Sequence, residues 1–185
     1  SIICKLINYT LLTSSVPNMW RTAIITPLPK TRTIQSVSDL RPISVTSILS
    51  RITEKLVVRD CLSRCLIPSE FEDQYAYKPT CSTTCTLVDF TYRMSCLLET
   101  NKYVRCVFID FSQAFDRVDH TILVEKMMSL DVPPFVIKWI VSFLSGRTQT
   151  TKIASVLSSH RCISRSPVQG SGIGPVLFIM FTRNI

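Results

Sequence analysis

The segment from Val104 to Asp119 constrains the fold of this chain more strongly than any other part of it. It begins with the apolar run Val-Arg-Cys-Val-Phe-Ile, which predicts a buried strand that ends at Asp110. A short turn then leads to a helix that we expect to begin near Asp119. An ionised carboxylate beside an apolar strand is costly unless something compensates it, and a divalent cation does so well. Asp110 is therefore a candidate metal ligand, with a capping or turn aspartate as the alternative.

The composition is that of a folded, basic domain. The chain has 185 residues, of which 46% are hydrophobic, and its mean hydropathy is +0.27, so a disordered chain is excluded. A net charge of +8 favours a polyanionic partner, and nucleic acid is the first candidate. No apolar run reaches the roughly 18 residues of a membrane span, and the first residues lack the pattern of a secretory signal. We expect no membrane partner, and we predict no particular oligomeric state.

The eight cysteines show neither a disulfide framework nor the spacing of a zinc site. Cys61 and Cys65 are four residues apart, as are Cys81 and Cys85, whereas zinc sites use closer cysteine pairs or accompanying histidines. The two histidines of the chain are not suitably spaced. We therefore expect reduced thiols and a protein of the cytoplasm, the nucleus or both.

Local signals predict a hairpin followed by a series of helices. Residues 21–30 are typical of a strand ended by prolines, residues 31–39 predict a polar, flexible tip, and a second strand should begin at Leu40. A helix over 45–66 should pack its isoleucines inward and leave Glu54 in solvent. A second helix over 83–100 should direct an apolar stripe at the core. A third, strongly apolar helix should follow Pro134 and end at Gly146, before a strand over 147–156.

Glycine is concentrated in one place. Three of the four glycines lie within Gln-Gly-Ser-Gly-Ile-Gly-Pro, residues 169–175, which indicates a backbone with unusual angles or one that lets a ligand approach closely. A helix should follow from Val176. The segment is not a dinucleotide-binding fingerprint, because a strand does not precede it in the required order.

Several of these segments resemble reverse transcriptases of LINE-type (non-LTR) retrotransposons. The chain reads Phe-Ile-Asp-Phe-Ser-Gln-Ala-Phe-Asp-Arg-Val-Asp-His around Asp110, where family members typically read Asp-Leu-Ser-Lys-Ala-Phe-Asp-x-Val-Asp-His. Ile-Thr-Pro-Leu-Pro-Lys and Leu-Arg-Pro-Ile-Ser resemble the family's fingers region. The glycine-rich segment resembles its second block. Four blocks occur in the family's order over almost the whole chain.

The resemblance implies an α+β fold: the fingers and partial palm of a right-hand polymerase, with a small antiparallel sheet backed by helices. Residues 1–185 would be a partial reverse transcriptase domain, with the fingers at about 20–100 and the partial palm at about 101–185. The family's aromatic-Ala-Asp-Asp hairpin, which supplies the other catalytic carboxylate, does not occur in these 185 residues. We therefore expect the rest of the palm and the thumb to be missing, and the isolated fragment to be inactive.

The resemblance also implies a role for residues around the reaction. Asp110 would be catalytic and would bridge two Mg²⁺ ions, with Mn²⁺ as a substitute, and the main-chain carbonyl of Phe111 would hold one of them. Phe115 would block the 2′-hydroxyl of a ribonucleotide, and core packing is the alternative. Lys30 and Arg41 would grip the triphosphate of the incoming nucleotide, and ordinary solvated charges are the alternative for both.

The glycine-rich segment would contact the same nucleotide. Family resemblance implies that Gln169 and Gly170 contact the incoming nucleotide and its template base. Two departures affect these expectations. The family's Val-Pro-Gln order is here Pro167-Val-Gln, and two expected glycines of an earlier turn are Ala76 and Thr80. A turn that needs positive φ at those positions would be strained.

The function implied is that of an RNA-directed DNA polymerase fragment from a non-LTR retrotransposon. The complete enzyme would transfer nucleotides by a two-metal mechanism, with an RNA template, a DNA primer and deoxynucleoside triphosphates as partners. The alternative is a catalytically silent nucleic-acid-binding relic of the same fold. Lys78 would be either a contact to template phosphate or a structural turn residue.

Overall fold

The computed structural model describes residues 1–66, 71–78, 81–111, 114–163 and 170–183. The chain divides into two compact units, one formed by Ser1–Leu66 with Phe115–Ile185 and the other by Ile67–Ala114. The helices are α1 (Ile2–Leu12), α2 (Asn18–Arg21), α3 (Ile48–Val57), α4 (Thr83–Thr100), α5 (His120–Ser129), α6 (Pro134–Leu144) and α7 (Gly174–Thr182). The strands are β1 (Thr22–Pro29), β2 (Leu40–Val45), β3 (Arg147–Ile153), β4 (Val156–Leu157) and β5 (Arg161–Ile163). Of these described elements, α4 alone belongs to the smaller unit.

The larger unit contains a five-stranded sheet in the order β2-β1-β3-β4, with β5 also paired to β3. The predicted hairpin is confirmed, because β1 and β2 are antiparallel from Ile24 opposite Val45 to Pro29 opposite Leu40. The sheet as a whole is mixed, not antiparallel as expected, since β1 and β3 run parallel. The long connection through several helices between these two strands permits this direction, whereas a short turn would not.

The core of the larger unit is built around α6. Trp139, Ile140 and Phe143 are fully buried, and the Trp139 and Phe143 rings stack with centroids 5.5 Å apart. The helix has Pro134 at its first position, where the missing N–H costs nothing. It ends before Gly146, whose φ of +60° suits a residue without Cβ. Both predicted boundaries are therefore confirmed.

The buried face of α3 is the opposite of the predicted one. Ser50, Thr53 and Glu54 are buried, whereas Ile48 and Ile52 are 67% and 41% exposed. Polar and apolar residues both recur at helical spacing in this helix, so periodicity alone did not tell which set packs. The expectation that Glu54 lies in solvent is wrong.

In the smaller unit, α4 has the predicted bounds but not the predicted burial. The side chain of Ser82 accepts a hydrogen bond from the backbone nitrogen of Cys85 at 3.3 Å and caps the helix. No residue of α4 is buried, and Leu87 and Leu98 are 59% and 53% exposed. The predicted core stripe is therefore wrong: the described part of this unit leaves it uncovered.

The predicted strand from Val104 to Asp110 is also not observed. These residues have no ladder partner among the described residues, and Phe108 and Ile109 are 81% and 76% exposed. The Phe108 ring packs on Phe90 of α4 with centroids 5.8 Å apart. A strand exists only where a neighbouring strand takes its backbone hydrogen bonds, and the described part of this unit provides none.

The turn before α4 places its positive φ at an unexpected residue. Tyr77 has φ of +61°, whereas Ala76 does not have a positive φ, and Thr80 lies outside the described residues. The Lys78 ammonium donates a hydrogen bond to the carbonyl oxygen of Phe71, which is the structural alternative considered for that residue.

No helix in the described ranges is both long and apolar enough to span a membrane.

Candidate functional site

The tip of the β1–β2 hairpin is an ordered turn built around Asp39. The Asp39 carboxylate accepts hydrogen bonds from the backbone nitrogens of Gln35 at 3.0 Å and Ser36 at 2.9 Å. These bonds lower the pKa of Asp39, the one from Gln35 contributing most and the charge of Lys30 least. The Lys30 ammonium donates to the carbonyl oxygen of Ser38 at 2.8 Å, and the Lys30 backbone nitrogen donates to the Asp39 carbonyl oxygen. The predicted flexible tip is therefore a compact turn.

Lys30 and Arg41 both lie near the tip of this hairpin. Arg41 lies opposite Leu28 in the strand register, and Lys30 directly follows Pro29, the last residue of β1. Both residues are exposed, and the Arg41 side chain makes no hydrogen bond or ion pair within the described part of the chain. The two predicted triphosphate contacts are thus exposed cations near the hairpin tip, and together they are called the cationic pair.

Gly170 lies against the same hairpin. It has φ of +86°, and a Cβ atom at this position would be 2.9 Å from the carbonyl oxygen of Ser44 in β2. Real Cβ atoms essentially never come so close to a backbone oxygen. Glycine is therefore required here for two reasons, the backbone angle and the close approach, as its concentration in this segment predicted. Gln169 lies outside the described residues.

Beyond Gly170, the glycine-rich segment is bound by Glu54. One carboxylate oxygen of Glu54 accepts hydrogen bonds from the backbone nitrogens of Gly172 at 2.7 Å and Ile173 at 3.4 Å. The other accepts from the Ser50 hydroxyl at 2.8 Å. Glu54 is 0% exposed, so these bonds compensate the cost of burying its carboxylate. This buried contact joins α3 to the start of α7.

A second buried charge stabilises the strand that follows α6. Arg147 is 1% exposed and donates hydrogen bonds to the carbonyl oxygens of Phe143 at 2.8 Å and Trp20 at 3.3 Å. Its guanidinium also lies over the Phe143 ring, 4.5 Å from the centroid. Burial lowers the pKa of Arg147 to about 10, and the charge of Glu54 acts in the opposite direction. Arg147 is a structural residue of the core.

Phe115 lies in a short 3₁₀ turn, Phe115–Arg117, and is half-buried. Its ring packs against that of Phe178 in α7, with centroids 4.7 Å apart. The contact places Phe115 next to the helix that follows the glycine-rich segment. It is compatible both with the predicted contact to the sugar and with the packing alternative.

Asp110 and Phe111 belong to the smaller unit, whereas the residues described so far in this section belong to the larger unit. Both are exposed. Nowhere in the described residues do three or more His, Cys, Asp or Glu side chains cluster so that they could hold a metal ion. Asp119, by contrast, caps α5: its carboxylate accepts from the backbone nitrogens of Thr121 at 2.8 Å and Ile122 at 3.2 Å.

Glu54 is the residue that sequence reasoning missed. A signal was available, because Ser50, Thr53 and Glu54 recur at the i, i+3, i+4 spacing of a helix face together with the buried Val57. The partner that makes this face the buried one is 118 residues away in the chain. Only the tertiary structure places it there.

The larger unit therefore brings together two of the predicted sites, the cationic hairpin and Gly170. Comparison with known proteins gives their context. The sequence profile of "Reverse transcriptase (RNA-dependent DNA polymerase)" matches residues 28–185. The chain is 30% identical over 176 residues to a probable RNA-directed DNA polymerase from transposon BS of Drosophila melanogaster. It is also 30% identical over 174 residues to the RNA-directed DNA polymerase from mobile element jockey of the same organism.

A third relative comes from a different insect. The chain is 27% identical over 169 residues to the retrovirus-related Pol polyprotein from type-1 retrotransposable element R2 of Popillia japonica. Each of these three alignments covers 91% of this chain and 19%, 19% and 23% of the respective relative. The chain thus spans about a fifth of the length of the curated relatives it matches. Because the family profile extends over most of its residues, the chain belongs to the reverse transcriptase (RNA-dependent DNA polymerase) family.

Proposed function

We propose that this chain is part of an RNA-directed DNA polymerase of a non-LTR retrotransposon and binds the incoming deoxynucleoside triphosphate in its larger unit. One observation supports this most directly: Gly170 is in close contact with Ser44 of β2, the strand that also contains Arg41. Two segments more than a hundred residues apart in the chain thereby meet in one exposed region. An exposed glycine packed on the strand that contains an exposed arginine suits a phosphate-bearing ligand.

Arg41 and Lys30 would bind the triphosphate. The Arg41 guanidinium has no side-chain partner in the described residues, so its planar set of donors is available for phosphate oxygens. The Lys30 ammonium would exchange its hydrogen bond with the Ser38 carbonyl for one with a phosphate oxygen. In the reaction, the primer 3′-hydroxyl oxygen attacks the α-phosphorus, and pyrophosphate leaves. The cationic pair would bind the part that leaves.

Gly170 and Gln169 would contact the nucleotide and its template base, and Phe115 would limit space at the 2′ position of the sugar. The lack of a Cβ at Gly170 allows a close approach of its backbone. Phe115 is held by its contact with Phe178, so its ring is in a defined place before any nucleotide arrives. Pre-organisation of this kind is what a steric filter requires.

The proposed reaction would also require metal ions. Reverse transcriptases generally use divalent metal ions, and Mg²⁺ prefers carboxylates, phosphates and water in octahedral geometry. Asp110 and the Phe111 carbonyl would provide ligands for two such ions. The described residues contain no group of three or more His, Cys, Asp or Glu side chains that could hold a metal ion, so we derive no step of the reaction through the ions.

The same proposal covers the architecture and the setting of the protein. Residues 20–100 and 101–185 would be the fingers and part of the palm of a right-hand polymerase. RNA template and DNA primer would be its partners, in agreement with the net charge of +8. All eight cysteines lie in the described part of the chain and are free thiols, which supports a location in the cytoplasm, the nucleus or both.

Nucleotide binding is tested in the protein that contains this chain, with a fluorescent deoxynucleoside triphosphate and anisotropy as the readout. Arg41→Ala should weaken binding by on the order of tenfold or more, because a charge-assisted bidentate contact is lost. Arg51→Ala removes an equally exposed arginine of α3 and should leave binding unchanged. Equal affinities for the two variants would contradict the proposed role of Arg41.

Catalysis is tested by extension of a DNA primer on an RNA template with Mg²⁺. Asp110→Ala should abolish extension, whereas Glu99→Ala, which removes an exposed carboxylate of the same unit, should not. Binding of nucleic acid by the wild type without any extension would instead support the alternative function, a catalytically silent nucleic-acid-binding relic of the same fold.

A further inference from the structure

The glycine-rich segment is held at two points by neighbouring elements. Gly170 is pressed against Ser44 of β2, and the backbone nitrogens of Gly172 and Ile173 donate to the Glu54 carboxylate of α3. Strand β2 ends at Val45 and α3 begins at Ile48, so both points belong to one continuous stretch of chain. The segment is therefore fixed relative to the strand that contains Arg41.

Glu54 provides the acceptor for the backbone N–H of Ile173, the N-cap residue of α7, and for that of Gly172 before it. Ile173, the N-cap residue, has no side-chain acceptor, and the next backbone nitrogen, that of Gly174, donates to the Ser171 hydroxyl at 3.0 Å. The N–H groups just before the helix would otherwise be orphaned. A negative charge at a helix N-terminus is also favoured by the helix dipole. The acceptor therefore comes from a different helix, which ties the position of α7 to that of α3.

Few other side chains could replace Glu54 in this contact. A buried carboxylate persists only if most of its lone pairs are occupied, and Glu54 has three donors: two backbone N–H groups and the Ser50 hydroxyl. A side chain one methylene shorter, or one without charge, cannot make the same set of bonds at this distance from α3. The geometry of the glycine-rich segment thus depends on the identity of residue 54.

We propose that Glu54 is a positioning residue for the incoming nucleotide: it sets the backbone geometry of the glycine-rich segment and does not itself touch the substrate. This inference rests on the proposed function, since it concerns the nucleotide that Gly170 would contact. Small displacements of a positioned group cost as much as two orders of magnitude in rate. Loss of the Glu54 carboxylate should therefore raise the KM for the nucleotide.

The test compares Glu54→Gln, Glu54→Ala and a matched control, Glu125→Ala, which removes an exposed carboxylate of α5. KM for the deoxynucleoside triphosphate and the Kd for the RNA–DNA template–primer are measured separately in the protein that contains this chain. We expect Glu54→Ala to raise KM for the nucleotide by on the order of tenfold to a hundredfold and to leave the template–primer Kd unchanged. Glu54→Gln retains one acceptor and should lie between Ala and the wild type.

Hydrogen exchange supplies a readout that is independent of activity. In Glu54→Ala the backbone amides of Gly172 and Ile173 should exchange faster than in the wild type, whereas Glu125→Ala should leave them unchanged. If the amides lose protection but the nucleotide KM stays at the wild-type value, Glu54 is a structural residue only and the inference is wrong. If Glu54→Ala does not fold, the same pair of measurements on Glu54→Gln decides.

Failure of this inference is distinguishable from failure of the proposed function. A wild-type protein that neither binds nor incorporates deoxynucleotides refutes the proposed function, and the positioning role with it. If the wild type incorporates deoxynucleotides and the Glu54 variants have the same KM for them, only the positioning role is refuted.

Discussion

Gly170 and Ser44 are in backbone contact at a distance that only glycine permits: a Cβ atom on residue 170 would lie 2.9 Å from the carbonyl oxygen of residue 44. The φ of +86° at Gly170 disfavours other residues independently. Because Ser44 lies in an edge strand of the sheet, the contact packs the glycine-rich segment onto the rim of the larger unit. Of the cationic pair, Arg41 belongs to the same strand, and Lys30 directly follows the neighbouring strand β1.

This contact predicts that Gly170→Ala lowers the free energy of unfolding. The strained φ alone costs about 1–3 kcal/mol in a residue with a Cβ, and the Ser44 carbonyl, a backbone atom, cannot simply rotate away. Urea denaturation followed by circular dichroism measures the change. Nucleotide affinity should fall as well, since the segment has to move away from β2.

Gly172→Ala is the matched control for this prediction. A Cβ at Gly172 would meet side-chain atoms of Lys55 and Glu54 at 3.5 Å or more, which is ordinary van der Waals contact, and its φ is not in the left-handed region. We expect a change of at most about 1 kcal/mol. If the two alanine variants prove equally stable, the close approach of Gly170 to Ser44 is not what makes glycine necessary.

Arg147 should be among the least replaceable charged residues of the larger unit. Arg147→Ala leaves the carbonyl oxygens of Phe143 and Trp20 without their buried donor and opens a cavity beside the Phe143 ring. We expect a loss of about 2–4 kcal/mol in the free energy of unfolding. Arg51→Ala, at an exposed position of α3, should change stability by no more than about 0.5 kcal/mol. A small effect at residue 147 would mean that burial of its charge costs as much as its contacts contribute.

Local signals explain which parts of the fold could be predicted from the sequence. Pro29 ends β1, although the strand continues through Pro27, Ser82 caps α4, and Gly146 follows α6. In each case the signal acts within a few residues of the boundary it defines. The antiparallel hairpin also follows from a short connection. The same kind of reasoning located the glycine that the Ser44 contact requires.

The wrong predictions concern features that each depend on a partner distant in the sequence, not on local signals. The segment from Val104 to Asp110 has the composition of a strand, but a strand forms only beside another one. Helix α3 has a polar and an apolar face of equal periodicity, and the choice between them depends on residues 172 and 173. Glu54 was assigned to solvent because a glutamate is rarely buried, and its compensating donors are backbone groups that a sequence does not display.

The hairpin tip should respond to pH through Asp39. Its hydrogen bonds from the backbone nitrogens of Gln35 and Ser36 keep its pKa below the ordinary value of an aspartate in the folded chain. A carboxylate with a lowered folded-state pKa stabilises the fold above its unfolded pKa, and this contribution is lost as the pH falls through the folded value. The turn should therefore be intact above the ordinary aspartate pKa and loosen only as the pH falls through the lowered pKa of Asp39.

Nuclear magnetic resonance measures this directly. The amide shifts of Gln35 and Ser36 should titrate with a midpoint below the ordinary pKa of an aspartate in the wild type and show no such transition in Asp39→Asn. Glu125→Gln, which alters an exposed carboxylate outside the tip, should titrate like the wild type. A midpoint at or above the ordinary value would show that the two backbone bonds do not persist in solution.

Substitution of Asp119 can distinguish a helix-capping role from a metal-binding role of this residue. Its carboxylate accepts hydrogen bonds from the backbone nitrogens of Thr121 and Ile122 at the start of α5. Replacement of an N-cap aspartate by alanine typically costs about 1 kcal/mol, whereas asparagine is nearly as good a cap. We therefore expect Asp119→Ala to lower the free energy of unfolding by about 1 kcal/mol and Asp119→Asn to have little effect. Because the cap acts on the helix alone, both results should be the same with Mg²⁺ or with a chelator present. A stability difference that appears only with Mg²⁺ would instead place Asp119 beside a bound ion.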